Sequence, residues 1–167
     1  GVTPITLGLL LVSSEKGKGT TFTIYLPASG KQPLAEKTTP ASPRKGSETI
    51  LFVDDQEVVL ETGSQMLKAL GHTVLTAKDG QEAIELYGRH KDEVDLVILD
   101  MIMPGLTGSV VYDSLKVLNP RVKVILSSGY SLDGQASQIL ERGCNGFIQK
   151  PFGVQALSKK IQEVLEG

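Results

Sequence analysis

Val94-Asp95-Leu96-Val97-Ile98-Leu99-Asp100-Met101-Ile102-Met103-Pro104-Gly105 is an apolar run that stops at a carboxylate and is followed by a Met-Pro-Gly turn. A short, nearly continuous run of Val, Ile and Leu has no polar face to offer water, so it reads as a strand covered on both sides, as in a parallel sheet. Asp100 then stands at the carboxyl end of that strand, the edge where open α/β sheets bind their ligands.

The flanking sequence alternates in the same manner. Thr49 to Val53 is a β-prone run ending in Asp54-Asp55, and Glu57 to Leu70 has Val59, Met66, Leu67 and Leu70 on one helical face, closed by Gly71. His72 to Ala77 reads as a strand, and Asp79-Gly80-Gln81-Glu82 has the spacing of a capped helix start leading to about His90, with Tyr87 expected in the core. Beyond Asp100 the pattern predicts a helix over Thr107 to Leu118, a strand over Val122 to Leu126 and a helix over Ser131 to Arg142. It ends with a strand over Gly146 to Gln149 and a helix from Val154 to Leu165, with Val154, Leu157, Ile161 and Leu165 on its buried face. Five strands alternating with five helices imply a doubly wound parallel sheet.

Composition agrees with one globular domain plus a flanking segment. The chain has 167 residues, 40% hydrophobic and 22% charged, with a formal charge of -2. Residues 1 to 50 are net +3 and the remainder net -5, and neither part carries the basic stripe of a nucleic-acid surface. One cysteine, Cys144, excludes an intrachain disulfide. The longest apolar run near the start, Leu9 to Val12, is too short to span a bilayer, and a cytoplasmic location is expected. No DNA-binding module is expected after the last helix, which ends just before Gly167. Residues 28 to 47, rich in Pro, Ser, Thr, Ala and Lys, read as a linker between residues 1 to 27 and a domain spanning 48 to 167.

In such a sheet all strand ends meet on one edge. Asp54 and Asp55, Asp100, Ser128 and Lys150 therefore converge from four strands. Three neighbouring carboxylates repel one another unless a cation intervenes, and oxygen donors without His or Cys favour Mg2+. Taken alone, Asp54 and Asp55 read as helix caps and Lys150 as a surface lysine; their common position at strand ends favours a site. Of the adjacent Ser127 and Ser128, whose bland reading is turn chemistry, Ser128 is preferred as a hydrogen-bond donor because Gly129 follows it. Cys144, Met101 and Met103 need no role beyond packing.

Phe52-Val53-Asp54-Asp55, Leu99-Asp100-Met101-Ile102-Met103-Pro104-Gly105, Leu126-Ser127-Ser128-Gly129-Tyr130 and Gly146-Phe147-Ile148-Gln149-Lys150-Pro151-Phe152, in this order, resemble a response-regulator receiver domain (CheY-like) over about residues 48 to 166. The resemblance implies a flavodoxin-like (βα)5 fold with the family's strand order, 2-1-3-4-5. It implies Asp100 as the phosphoacceptor. Asp55, Asp100 and the backbone carbonyl of Ile102 would bind Mg2+ directly, with Asp54 acting through water. Lys150 would pair with the acidic site, Ser128 would move toward the phosphoryl group, and Phe147 would change rotamer, its plain core reading remaining open. A cis Lys150-Pro151 bond is implied as well. Ile102 stands where polar residues are common in the family and Tyr130 stands two residues past Ser128; both positions flank the family's path of the hydrolytic water, and this apolar and aromatic pair predicts a longer-lived aspartyl phosphate.

Upstream, Ser14-Glu15-Lys16-Gly17-Lys18-Gly19-Thr20-Thr21-Phe22-Thr23-Ile24-Tyr25-Leu26-Pro27 reads as the turn and second strand of a hairpin and resembles the last hairpin of a sensor histidine kinase ATP-binding domain, without that domain's nucleotide boxes or histidine box. Together the resemblances imply the C-terminal part of a hybrid histidine kinase. Its partners would be a histidine kinase or phosphotransfer domain as phosphodonor and an output partner on the 131 to 166 face, which also suits a phosphorylation-dependent homodimer. Two rival functions are a Mg-dependent aspartate-nucleophile phosphohydrolase and a receiver-shaped interaction module that never carries phosphate. Asp54-Asp55-Gln56 lacks the Asp-x-Asp of the first, and the retained acidic, hydroxyl and lysine positions oppose the second.

Overall fold

The structure is a computed structural model that describes residues 9–25, 46–129 and 134–167. The chain divides into two compact units, residues 1–39 and 40–167. In the first, strands β1 (Leu9–Glu15) and β2 (Gly19–Tyr25) form an antiparallel hairpin whose register runs from Leu9 opposite Tyr25 to Glu15 opposite Gly19. Gly17 and Gly19 take the positive φ angles of 84° and 101° that the turn requires. Val12, Phe22 and Ile24 share one face of this hairpin and are exposed. The linker expected over 28–47 lies outside the described residues except for its last two.

The second unit is a five-stranded parallel sheet of β3 (Thr49–Val53), β4 (Thr73–Ala77), β5 (Leu96–Asp100), β6 (Val124–Ser128) and β7 (Gly146–Gln149). The order is β4-β3-β5-β6-β7, the flavodoxin-like arrangement. Helices α1 (Glu57–Ala69), α2 (Gly80–His90), α3 (Gly108–Leu118), α4 (Gly134–Glu141) and α5 (Val154–Glu166) join the strands. Every residue of β5 and β6 is buried. Alternate side chains feed two cores, which is why the sequence of β5 shows no polar face. Val97 and Leu99 pack with Tyr87 of α2, Tyr112 of α3 and Ile139 of α4. Leu96 and Ile98 pack with Leu67 of α1 and Leu157 and Ile161 of α5.

Local chemistry sets the helix ends. Gly71 has φ 97° after α1. At the start of α2 the Asp79 carboxylate accepts from the Glu82 N–H at 2.8 Å, and the Glu82 carboxylate accepts from the Lys78 N–H at 2.8 Å. At the amino edge of the sheet, Gly46 donates its N–H to the Leu70 carbonyl at 2.9 Å and lies against the His72 ring so closely that a Cβ there would overlap it. Gly46, Glu48 and His72 line a cleft with Leu165 and Glu166 from the end of α5.

Three sequence expectations shift. β6 begins at Val124, not Val122, because the Val122 N–H closes a turn onto the Asn119 carbonyl at 3.0 Å. It runs on through Ser127 and Ser128, which pair with Ile148 and Gln149. Val154 is 39% exposed, and Val164 takes its place on the buried face of α5. The described part of α4 starts at Gly134, and residues 131–133 lie outside the described residues.

Gly108 opens α3 directly against the backbone that leaves β5. A Cβ there would lie 2.6 Å from the Asp100 carbonyl oxygen and 2.8 Å from the Met101 Cα, neither of which can swing away. Gly108→Ala is therefore expected to lose about 1–3 kcal/mol in urea unfolding, the range of an overpacked contact. An unchanged midpoint would show that the helix start relaxes freely.

Candidate functional site

Four of the five strands, β3, β5, β6 and β7, bring side chains to the carboxyl edge. The Asp54 N–H follows the ladder of β3 and β4 onto the Ala77 carbonyl at 3.1 Å, so Asp54 is fixed immediately beyond the end of β3 and is fully buried. Its Oδ1 accepts from the Gln56 N–H at 3.1 Å. Gln56 is the N-cap of α1 and makes no side-chain cap bond, so neither aspartate caps the helix in the ordinary way. Asp55 is exposed. Asp100 closes β5 with only 4% of its surface accessible, and its Oδ1 receives a long contact from the Ile102 N–H at 3.5 Å.

Lys150 joins these strands. Its Nζ lies 2.5 Å from Asp54 Oδ2 and 3.0 Å from Asp100 Oδ2, with 15% of the side chain exposed. The Lys150-Pro151 peptide is cis, and the Lys150 N–H donates to the Ser128 carbonyl at 2.7 Å. Burial pushes the Asp100 carboxyl above its ordinary range; the Lys150 charge and hydrogen bond pull it down, the charge of Asp54 pushes it up and the Ile102 N–H pulls it down again. The anion is thus held in an environment that favours a second cation.

Asp54, Asp55 and Asp100 each offer an oxygen within 4.8 Å of the others. An octahedral Mg2+ holds its ligands at about 2.0–2.1 Å, so oxygens sharing it lie at most about 4.2 Å apart, and it retains several waters. The cluster is within a small adjustment of that spacing, and among the described residues no His or Cys joins it. The donor set fits Mg2+.

The remaining expected residues divide by face. Ser128 is buried on the side of β6 that also carries Leu126, and Phe147, half-buried opposite Leu126, packs against the core of α2, α3 and α4. Ser127, ranked below Ser128 from sequence, pairs directly with Asp100. Ile102 leaves its side chain 56% exposed beside the site, and Tyr130 lies outside the described residues. The sequence pattern also missed a largely apolar groove of about 460 Å³ along α1, lined by Val59, Thr62 and Met66 together with Lys150, Pro151 and Phe152. Helical periodicity assigned Val59 and Met66 to the core, because a face that is apolar along its length does not reveal where its cover stops.

The response regulator receiver domain family matches residues 50–162. Sensor kinase CckA of Brucella abortus is 35% identical over 178 residues, an alignment that takes in 99% of this chain and 18% of that protein. The chain spans less than half the length of the first curated relatives it matches, from 18% to 45%. Among solved structures, a response regulator receiver domain protein from Clostridium thermocellum superimposes with a TM-score of 0.68 at 28% identity, covering 71% of this chain and 94% of that one. The receiver domain of sensor histidine kinase PA1611 from Pseudomonas aeruginosa, with a magnesium ion coordinated in its active site cleft, gives 0.66 at 26% identity, covering 73% and 100%.

Mg2+ is expected to raise the melting temperature of chelator-treated protein, with a stabilisation of about 2.7 kcal/mol at a hundredfold excess over its dissociation constant. Asp55 is exposed, so Asp55→Ala should leave the apo melting temperature near that of wild type and remove most of the Mg2+ shift. A full shift retained in Asp55→Ala would place the ion elsewhere.

Proposed function

Because the chain belongs to the response regulator receiver domain family, and so to two-component phosphorelay signalling, we propose that Asp100 accepts a phosphoryl group from a phosphohistidine. The observation that carries this reading is the burial of Asp100 at the end of β5, 3.0 Å from Lys150 and within one carboxylate cluster with Asp54 and Asp55. An Asp100 oxygen bonds to phosphorus while the phosphorus–nitrogen bond breaks and its electron pair returns to the donor imidazole.

Asp55, Asp100 and the backbone carbonyl of Ile102 would hold Mg2+, with Asp54 assisting through water. Bound there, the ion supplies charge neutralisation between an anionic donor and an anionic acceptor. Lys150 is held in place by Asp54 and reaches Asp100, so its ammonium is available to a phosphoryl oxygen without a long excursion. Ser128 donates its hydroxyl hydrogen to another phosphoryl oxygen. Phe147 lies on the same face of the sheet as Ser128, which supports a coupled shift of the two toward the surface of α4, β7 and α5. That surface, within residues 131–166, is where an output partner or a second copy of the domain would read the phosphorylated state.

The phosphodonor would be a histidine kinase or a phosphotransfer domain. Alignment of nearly the whole chain, hairpin included, with a sensor kinase supports the wider arrangement. Residues 1–27 would be the last hairpin of a kinase ATP-binding domain, 28–47 the linker and 48–167 the receiver of a hybrid histidine kinase. In this reading the segment is not an enzyme beyond gaining and losing its own phosphate and acts in the cytoplasm; among the described residues no helix is long and apolar enough to cross a membrane. Family membership does not favour a phosphohydrolase.

Incubation with acetyl phosphate and Mg2+ is expected to add one phosphate to the wild type by intact mass and none to Asp100→Asn. A phosphate that persists in Asp100→Asn would refute the assignment, and an unlabelled wild type would favour the interaction module without phosphate. The exposed Ile102 offers the path of the hydrolytic water no polar group, so Ile102→Asn is expected to shorten the half-life of the aspartyl phosphate. An equal or longer half-life would remove Ile102 from the control of that step.

A further inference from the structure

The hydroxyl of Ser127 is a buried group that the chemistry above leaves idle. The residue is fully buried, and among the described residues its Oγ has no hydrogen-bond partner. An unpaired interior hydroxyl is costly, so its persistence points to a partner in another state of the site.

Its position identifies that partner. Ser127 pairs with Asp100 across β5 and β6. Strand alternation turns both side chains to the face on which Ile98 and Ile125 pack with Leu67 of α1 and Ile161 of α5. Ser128, one residue on, turns to the opposite face. Lys150 follows β7 yet reaches Asp100 on β5 and Asp54 after β3, so its side chain crosses the end of β6, where Ser127 sits. Lys150 takes Asp100 Oδ2, whereas among the described residues Oδ1 has only the long contact from the Ile102 N–H. An under-supplied acceptor and an idle donor are thus same-face neighbours on adjacent strands.

We infer that Ser127 donates a hydrogen bond to the carbonyl oxygen of the aspartyl phosphate on Asp100 and stabilises the carboxylate that departs when the phosphoryl group is lost. The inference rests on Asp100 as the phosphoacceptor. In hydrolysis the phosphorus–oxygen bond to Asp100 breaks, and its electron pair stays on the aspartate. The water oxygen bonds to phosphorus and releases its proton to solvent. Negative charge spreads over both aspartate oxygens as this happens, and the Ser127 hydroxyl, which keeps its proton, bonds more strongly to the growing carboxylate than to the ester carbonyl.

The test loads the full chain with acetyl phosphate and Mg2+, removes the donor and follows the phosphorylated mass with time. Ser127→Ala is expected to lengthen the half-life about three- to tenfold, the effect of one hydrogen bond. Ser127→Val, which has the shape of threonine without the hydroxyl, should do the same, and Ser127→Thr should decay at close to the wild-type rate. The melting temperature of Ser127→Ala without Mg2+ should not fall, because an unpaired group has been removed, so a structural role would not account for the slower decay. Equal half-lives in wild type and Ser127→Ala would overturn the inference, as would a Ser127→Thr protein as slow as Ser127→Ala. If the valine or threonine variant does not fold, the alanine comparison alone decides. A wild type that takes no phosphate, or takes it elsewhere than Asp100, overturns the phosphoacceptor reading instead.

Discussion

One ammonium group, that of Lys150, stands between two carboxylates that the sheet has removed from water, and the acidic edge is organised around that arrangement. Removing charges from water is expensive, and the attraction between them compensates only when their geometry is close. The lysine meets both aspartates at 3.0 Å or less, yet Asp100 remains harder to ionise than a free carboxylate. One cation is therefore insufficient for three acids. The same shortfall leaves room at the site for the charge of a divalent ion.

That contact depends on strands distant in sequence. Lys150 belongs to the end of β7, and its partners lie at the ends of β5 and β3. Their meeting requires every intervening strand to be parallel and of matched length. The two cores supply this constraint, because the central strands are buried on both faces and a slip of one residue would exchange their contents. Gly108 adds a local constraint by letting α3 begin against the Asp100 backbone. The chemistry is thus held by packing on both sides rather than by loops alone.

Much of this was legible in the sequence for identifiable reasons. The unbroken apolar run before Asp100 announced a doubly covered strand, and alternation of such runs with helical periodicity announced the sheet. Strand-end acids and Lys150 could be grouped because parallel topology puts strand ends together. The extent of β6 was not legible: Ser127 and Ser128 look like turn residues, but hydrogen bonding to β5 and β7 holds them in a buried strand. Nor could residue type decide which serine faces Asp100, since that depends on register. Val154 looked like a core residue by period, but it lies at the first turn of α5 and remains partly open to solvent.

A final consequence follows from the direction of the strands. All five point toward the acidic edge, while Gly46, where the described part of this unit starts, and Glu166, near the end of α5, line one cleft with His72 at the other pole. Entry and exit of the backbone thus share a side remote from the carboxylates. A fold wired in this way keeps the two ends of its described backbone at the pole opposite the acidic cluster.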